Sequence, residues 1–237
     1  MRLSGTCALA LPFFWSQHCR MLAVKPVEHA DVPQCIAIRV DALGSLVIGR
    51  PPPYPGYVEE AEAAVHANLD DPDSFVRHLK VVDLADPGEV MAYAKWELYP
   101  NGRSKESLEK LKEPLSDEDK SVDQYGALRE AAHEYFCTRN GKMGKHPHLL
   151  LALLVTAKEH RRKGAGGLLV QWGLDKQKET GLNCYLQASE QGRRLYRHYG
   201  FQDMDTVEFD LGKYGLEGVE RMTEMIRYPT VSGRKDR

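Results

Sequence analysis

A basic, glycine-containing turn is the part of this sequence best suited to bind a ligand. Its sequence is RRKGAG, at residues 161–166. An apolar run at residues 149–156 precedes it and apolar residues at helical spacing follow it, so the pattern predicts a buried strand, a tight turn and a helix. The first N–H groups of a helix lack intrahelical partners and lie at the positive end of its dipole, so a pyrophosphate would suit this turn.

Two common phosphate-binding motifs do not fit this turn. A P-loop requires Lys-Ser or Lys-Thr after its last glycine, whereas Gly166 is followed by Gly167 and Leu168. The dinucleotide fingerprint requires a third glycine where Leu169 stands. On spacing alone, a strand-to-helix turn whose basic side chains are only solvated therefore stays an alternative.

The spacing Arg-x-x-Gly-x-Gly, which begins at Arg161, resembles the acyl-CoA-binding motif of the GNAT superfamily of acetyltransferases. The segment LNCYLQAS at residues 182–189 resembles the next strand of that family, and residues 192–201 resemble its LY…GF helix and turn. The resemblance covers residues 146–228 well and residues 21–100 in pattern only. It implies an α/β (α+β) fold with a mixed, mostly antiparallel central sheet and helices on both faces.

The resemblance also implies an acetyl-CoA site. The end of the central strand would pair with the pantetheine arm, the turn would hold the pyrophosphate, and a serine after the next strand would contact the cofactor. The residues implied are Leu154, Val155, Thr156, Arg161, Arg162, Lys163, Gly164, Ala165, Gly166 and Ser189. In many relatives the two central strands splay apart to admit the arm. Gln187 stands where similar sequences have Glu.

Tyr196 stands five residues before Phe201, at the position of the family's frequent catalytic tyrosine. The resemblance implies that its phenol protonates the departing thiolate, for which a reference pKa of about 10 is suitable. A packed helix aromatic is the alternative, and Tyr199 is expected to pack in the core. The acceptor amine would attack the thioester directly, because Cys184 lies within a predicted strand and has no evident His partner.

The general base is left open by the sequence. Glu97 is a candidate carboxylate near the acceptor, but an exposed strand glutamate is the favoured interpretation. Trp96 and Glu97 are expected to point to opposite faces of their strand. The acceptor is expected to be a small-molecule amine rather than a protein, since no peptide-binding groove is evident from the sequence.

Charge and cysteine content limit the other functions. The chain has 237 residues and a formal net charge of −2, which offers no argument for binding nucleic acid or an anionic membrane. Its five cysteines are scattered, without Cys-x-x-Cys spacing, which favours a reduced cytoplasmic protein with no metal. The His-Pro-His sequence at residues 146–148 is interpreted as a structural loop. The protein is expected to be a monomer or a homodimer.

The sequence predicts one acetyltransferase domain at residues 21–229. Residues 1–20 are mainly apolar but contain a proline, so a disordered extension is favoured over a targeting segment. Residues 101–124 are highly charged and predict an insertion that is partly helical or mobile. Residues 125–139 recover a helical pattern, either beside the acceptor or as a packed connection. Residues 230–237 form a polar tail.

The remaining elements follow from hydrophobic period and turn residues. Strands are predicted at residues 22–27, 74–82, 90–98, 149–156, 182–188, 207–211 and 219–228. Helices are predicted at residues 32–43, 58–69, 125–139 and 164–180. A proline-rich loop is predicted at residues 50–56, and the Asp-Pro-Gly sequence at residues 86–88 predicts a hairpin turn.

These expectations combine into an acetyl-CoA-dependent N-acetyltransferase. A catalytically inactive CoA-binding sensor or interaction module is the main alternative, and a nucleotide-phosphate binder that uses the same turn is a third. Release of free thiol would favour the enzyme, and tight CoA binding without turnover would favour the CoA-binding module. Preference for ATP over CoA would favour the nucleotide-phosphate binder.

Overall fold

A seven-stranded sheet forms the centre of the computed structural model, which describes residues 21–44, 46, 48, 55–121 and 124–230. The strands are β1 Leu22–Pro26, β2 Val76–Asp83, β3 Ala92–Tyr99, β4 His148–Thr156, β5 Asn183–Ser189, β6 Gln202–Asp210 and β7 Val219–Arg227. Their order is β1-β2-β3-β4-β5-β7-β6, and only β4 and β5 run parallel. The predicted mixed, mostly antiparallel sheet is confirmed. The predicted extension at residues 1–20, most of the proline-rich loop and the end of the tail lie outside the described residues.

Helices cover both faces of this sheet, as the resemblance implies. They are α1 Val32–Gly44, α2 Tyr57–Asp70, α3 Lys105–Lys110, α4 Asp117–Ser121, α5 Gly126–Gly144, α6 Ala165–Thr180 and α7 Glu190–His198. Helices α6 and α7 pack on one face. Helices α1 and α2 cover the β3 and β4 part of the other face, and α5 covers its β6 and β7 part. None of the described helices is long and apolar enough to cross a membrane.

The almost wholly apolar sequence of β4 fits its place in the middle of the sheet. Leu149 and Leu151 are buried against α6, while Leu150 is buried on the opposite face with Tyr99 and Tyr185. A strand covered on both faces needs apolar residues at consecutive positions, not alternate ones. This burial is why the run at residues 149–156 predicts a central strand correctly.

A close contact between Trp96 and Gly173 fixes α6 against β3. The Trp96 ring is fully buried, and its Nε1 donates a hydrogen bond to the Leu169 carbonyl oxygen at 3.1 Å. A Cβ atom at Gly173 would overlap the Trp96 ring, so only glycine lets the helix approach the strand this closely. This contact sets the position of α6 over the sheet, and with it the position of the turn that precedes α6.

The expectation that Glu97 is an exposed strand residue is wrong. Glu97 is 8% exposed and lies on the face opposite Trp96, as the strand alternation predicts. Its carboxylate is 2.8 Å from the Lys95 Nζ and 3.1 Å from an Arg103 guanidinium nitrogen, and it accepts a hydrogen bond from the Tyr99 hydroxyl at 2.6 Å. These partners satisfy the buried charge, which a pattern of strand residues alone does not indicate.

Element boundaries differ from the sequence predictions in two places. Strand β6 begins at Gln202, five residues before the predicted start, because an edge strand tolerates the charged residues of this segment on its exposed side. Helix α5 ends at Gly144, five residues after the predicted end. The insertion between β3 and α5 carries α3 and α4, so the prediction of a partly helical segment is confirmed.

We expect Gly173→Ala to lower the free energy of unfolding by about 1–3 kcal/mol, because the added methyl group overlaps a buried tryptophan that cannot move away. Gly141→Ala is the matched control: it lies within α5 and a Cβ there meets no atom within 4 Å. The control should be neutral or stabilising by up to about 1 kcal/mol through helix propensity. Urea denaturation of both variants measures the difference, and equal stabilities would refute the close-contact argument.

Candidate functional site

The two central strands separate part of the way along the sheet. Strands β4 and β5 pair only over His148–Leu151 and Asn183–Leu186. Beyond Leu151, β4 keeps β3 as its only strand neighbour within the described chain, and beyond Leu186, β5 keeps only β7. The facing edges of the two strands therefore present backbone groups that a bound molecule could pair with. This is the splay that the resemblance implies.

The turn before α6 is built by two residues with left-handed backbone. Arg162 has φ 64° and Gly164 has φ 90°. Gly164 is the residue that precedes α6, and among the described residues no side chain caps this helix end. The first N–H groups of α6 are therefore available to an anion, at the positive end of the helix dipole. A non-glycine residue held at positive φ is uncommon, which indicates that the turn geometry is strongly determined by its surroundings.

A cavity of about 610 Å³ connects the strand separation, the turn and α7. It brings together all but one of the site residues predicted from the sequence: Leu154, Val155, Thr156, Arg161, Arg162, Gly164, Ala165, Gly166, Ser189 and Tyr196. Lys163 does not line the cavity. Its Nζ instead donates a hydrogen bond to the Glu159 carbonyl oxygen at 2.5 Å, because the side chain points back along the turn. Lys163 is thus the one predicted cofactor-binding residue whose side chain lies outside the cavity lining, and its contact with the cofactor stays a prediction.

Sequence reasoning missed several residues that line the same cavity. From α1 and the segment after it come Ala42, Leu43 and Leu46, and from the α7 region come Gln191, Gly192, Arg194, Leu195 and His198. The α1 residues are distant in sequence and carry no motif. The α7 residues adjoin Tyr196, and the helical period around it was the signal that could have found them.

Two side-chain contacts hold the turn in place. The Arg161 Nε donates a hydrogen bond to the Thr156 carbonyl oxygen at 3.3 Å, which ties the turn to the end of β4. The Nε2 of the buried His160 lies 2.9 Å from Oε1 of Glu89 in the β2–β3 connection. Glu159 also places a carboxylate oxygen within 4.8 Å of both groups, a spacing that a divalent cation could bridge.

Tyr196 of α7 lines the same cavity as the turn. Its ring is 8% exposed and packs edge-on against Phe201, with 6.0 Å between ring centroids. Burial raises the pKa of the Tyr196 phenol above its usual range, so the phenol keeps its proton at neutral pH and is able to donate it. The Tyr199 hydroxyl lies instead against Gly167 of α6. Tyr199 does not line the cavity, in keeping with its expected packing role.

Helix α7 is anchored by a pair of arginines that flank Tyr196 in the sequence. Asp203 accepts hydrogen bonds from the Arg193 Nε at 3.1 Å and from the Arg197 Nε at 3.2 Å, and further contacts from one terminal nitrogen of each guanidinium. Hydrogen bonds from Arg197 and then Arg193 lower the pKa of Asp203 to about 2. This network joins α7 to β6 and so fixes the helix that carries Tyr196.

The other candidate groups have environments that limit their chemistry. Cys184 is fully buried, and burial raises the pKa of its thiol to about 12, so it is a poor nucleophile. Burial would raise the pKa of Glu97, but the charge and hydrogen bonds of its partners, Lys95 first, outweigh it and keep the pKa below its usual value. A carboxylate that is already paired in this way is a weak general base.

Comparison with known proteins agrees with this geometry. Residues 117–203 match the family model described as acetyltransferase (GNAT) domain, whereas no curated protein sequence matches the chain. The polyamine N-acetyltransferase of Drosophila melanogaster, an enzyme that catalyses the formation of N-acetylagmatine, has 14% identity and a TM-score of 0.59, with 88% of this chain and 100% of that chain covered. Salmonella typhimurium yncA, solved with its cofactor acetyl-CoA, has 14% identity and a TM-score of 0.55, with 91% and 98% covered.

A third solved structure, histone acetyltransferase HPA2 and related acetyltransferase from Corynebacterium glutamicum, has 17% identity and a TM-score of 0.55, with 89% of this chain and 97% of that chain covered. At these identities the likeness shows a shared fold. Together with the family model, it confirms the GNAT resemblance that the motifs in the second half of the chain indicate.

We expect Arg162→Glu to weaken acetyl-CoA binding at least about tenfold, because it reverses a charge that faces the cavity at the helix end. Lys163→Glu is the matched control, with the same change in net charge at the neighbouring residue but outside the cavity lining. The control should change the dissociation constant less than about threefold. Titration calorimetry measures both dissociation constants. Equal losses of acetyl-CoA affinity in the two variants would show that net charge, and not the position of Arg162, determines binding.

We expect Asp203→Asn to lower the free energy of unfolding at neutral pH, because two arginines lose their carboxylate partner. The folded-state pKa of Asp203 is depressed to about 2, below an unfolded value of about 3.9, so its stabilisation is present above about pH 4 and is lost as the pH falls toward 2. Urea denaturation of wild type and variant at a series of pH values measures this contribution. A difference in the free energy of unfolding that does not narrow between about pH 4 and about pH 2 would contradict the prediction.

Proposed function

We propose that this chain, which carries a GNAT acetyltransferase domain, transfers the acetyl group of acetyl-CoA to an amine of a small molecule. The observation that carries the proposal is one cavity that joins an uncapped helix end, the separated edges of β4 and β5, and a buried protonated tyrosine. These three features match the needs of a pyrophosphate, an extended pantetheine arm and a departing thiolate. The family model and a related fold solved with acetyl-CoA support the same donor.

In the proposed complex the pyrophosphate binds the N–H groups of residues 161–166 and the side chains of Arg161 and Arg162. The pantetheine arm lies along Leu154–Thr156, where β4 has lost β5 as a neighbour, and Ser189 contacts it from the end of β5. Arg161 is already oriented by the Thr156 carbonyl, so little side-chain entropy is lost when the phosphates bind.

The proposed reaction needs one proton donor and one proton acceptor. The neutral acceptor amine attacks the thioester carbonyl carbon, the C–S bond breaks, and the electron pair leaves on sulfur. Tyr196 gives its proton to that sulfur, and the amine nitrogen loses a proton to solvent or to a base that remains unassigned. Because burial raises its pKa, Tyr196 stays protonated through the neutral range and regains its proton from solvent after each turnover.

The packing of helices on the sheet face opposite α6 favours a small acceptor. Helix α5 packs through Leu128 and Tyr135 against Phe209 and Met222, and Ile48 is buried in the same cluster. The Ile48 N–H also donates a hydrogen bond to Glu220 of β7 at 2.6 Å, so the segment after α1 reaches across this face. A face that is covered in this way over β6 and β7 leaves room for a small molecule more readily than for a polypeptide. The fold neighbour named for polyamines is consistent with such an acceptor, and the one named for histones is the alternative.

The location and assembly of the protein are also proposals. We place it in the cytoplasm, as a monomer or a homodimer, acting as one domain at residues 21–229. One continuous sheet from Leu22 to Arg227 supports the single domain. The three described cysteines are free, which fits a reducing compartment.

Calorimetry of acetyl-CoA, followed by thiol release with a panel of amines, tests the proposal. Saturable binding that the double variant Arg161→Glu/Gly164→Glu loses, together with amine-dependent thiol release, is the expected result. Tight CoA binding without turnover of any amine would replace the enzyme with a CoA-binding module. Preference for ATP over CoA would favour a nucleotide-phosphate binder.

We expect Tyr196→Phe to lower kcat by about 10- to 1000-fold while acetyl-CoA affinity stays nearly intact, because only the transferable proton is removed. Tyr199→Phe is the matched control, since that hydroxyl lies against Gly167 and outside the cavity. Steady-state kinetics and calorimetry measure the two quantities. Unchanged turnover in Tyr196→Phe, or an equal loss in Tyr199→Phe, would remove Tyr196 from the proton-donor role.

A further inference from the structure

A group of polar side chains lies on the sheet face opposite the turn, beneath α1. His78 of β2 stands opposite Lys95 of β3, and Lys80 stands opposite Tyr93. Their neighbours along the strands, such as Leu79, belong instead to the α6 core. Four polar or ionisable groups thus share one face, next to the apolar contacts that α1 makes with Tyr93 and Val155.

Two buried nitrogen atoms in this region have no hydrogen-bond partner in the described structure: the Nε2 of His78 and the Nε of Arg39 on α1. His78 is only 5% exposed, and its Nδ1 lies 2.7 Å from the Tyr93 hydroxyl. When that hydroxyl donates to Nδ1, the single proton of a neutral ring lies on Nε2, which is then a donor like the Arg39 Nε. Buried donors without acceptors are rare in folded proteins, and a bound ligand or water is the usual explanation.

His78 is held neutral by its surroundings. Burial first, then the positive charge of Lys95 and, more weakly, that of Arg39 lower the pKa of His78 to about 4, while the negative charge of Glu97 opposes them. A neutral imidazole offers one donor without adding charge. Lys95 stands opposite His78 on the neighbouring strand, and α1, which carries Arg39, packs against Tyr93, whose hydroxyl contacts this ring.

The charges on this face do not balance. Lys80 is paired with Asp31 at 2.5 Å, whereas Glu97 is shared by Lys95 and Arg103. Arg39 lies 5.7 Å from the centre of the Tyr57 ring and forms no ion pair with a carboxylate of the described chain. Arg39 is therefore left without a negative partner among the described residues, and Lys95 and Arg103 share the single negative charge of Glu97. Partly buried cations are stabilised by an anion, so the missing partner is expected to be negative.

This region adjoins the cavity. Lys95 is opposite Leu153, just after β4 leaves β5, and Ala152 is exposed at a bulge in the middle of the sheet, so the helices leave this point open. Arg39 lies one helical turn, about 5.4 Å, before Leu43, which lines the cavity. An acceptor could therefore reach the thioester with its amine while its other end lies beside Arg39.

We infer that Arg39, His78 and Lys95 form a carboxylate-binding subsite, and that the acceptor is an amine that also carries a carboxylate group. The inference rests on the proposed acetyl transfer and names the acceptor class for it. Arg39 would bind the carboxylate through its guanidinium, His78 would donate one hydrogen bond, and Lys95 would add positive charge. In the absence of acceptor, water would satisfy the same donors.

A series of paired substrates tests the subsite. The pairs are ω-amino acids from β-alanine to δ-aminovalerate, each with the n-alkylamine in which a methyl group replaces the carboxylate. For at least one pair the amino acid should have a kcat/KM at least about tenfold higher, equivalent to about 1.4 kcal/mol. Arg39→Met, which keeps the apolar stem over Tyr57, should reduce this preference to about one, through KM, while Arg39→Lys should restore part of it.

Two controls separate the subsite from the reaction itself. Lys25→Met removes an exposed cation from β1 and should leave the preference unchanged. Calorimetric titration with N-acetylated ω-amino acids should detect binding to wild type that Arg39→Met loses, a readout independent of turnover. Thiol release with equal kcat/KM for amino acids and alkylamines would overturn the subsite, because water would then account for the donors of Arg39 and His78. The proposed acetyl transfer would stand. No acetyl-CoA binding and no thiol release with any amine would overturn the proposed function, and the inference with it.

Discussion

The separation of β4 and β5 is the constraint on which the rest of this structure depends. A parallel pair that holds together for only four residues on each strand would be unstable alone, but each strand keeps an antiparallel neighbour on its outer edge. That support lets the inner edges stay open, with backbone groups free to pair with an extended ligand. The helix that follows β4 begins above the opening, so its uncapped N-terminus and the open strand edge lie in one cavity. The geometry suits a molecule with an anionic end and an extended arm.

The two faces of the sheet have different roles in this arrangement. On one face, Trp96 and Gly173 hold α6 close to β3, and Asp203 holds α7 through two arginines. The turn before α6 and the buried phenol of Tyr196 therefore keep a fixed separation. On the other face, α1 and α5 leave an opening at the β4 bulge. A donor held from one face and an acceptor admitted from the other would meet where the strands part. In the proposed reaction the acetyl group would then move only a short distance between two bound molecules.

Much of this architecture could be predicted from the sequence because its signals are local. The apolar run, the basic turn and the helix at residues 149–180 are contiguous, and a strand buried on both faces has few other interpretations. Lys163 shows where prediction from a motif stops, since its place beside Arg162 does not determine the direction of its side chain. Glu97 shows another, because its burial depends on Arg103, which comes from the charged insertion. Which residues of α1 line the cavity could not be predicted, since residues more than 100 positions apart carry no shared pattern.

The excess of positive charge around Arg39, Lys95 and His78 supports the proposed acceptor subsite. A protein selected for stability alone would place a carboxylate beside Arg39 or replace it with an apolar residue, since a partly buried cation without a partner costs free energy. Here the neighbouring carboxylates are already in use, Asp31 by Lys80 and Glu97 by Lys95 and Arg103. His78, kept neutral by burial and by the same cations, adds a donor without a charge of its own. Donors that are fixed before a ligand arrives lose little entropy on binding. An anionic acceptor would also relieve the free-energy cost of the unpartnered cation.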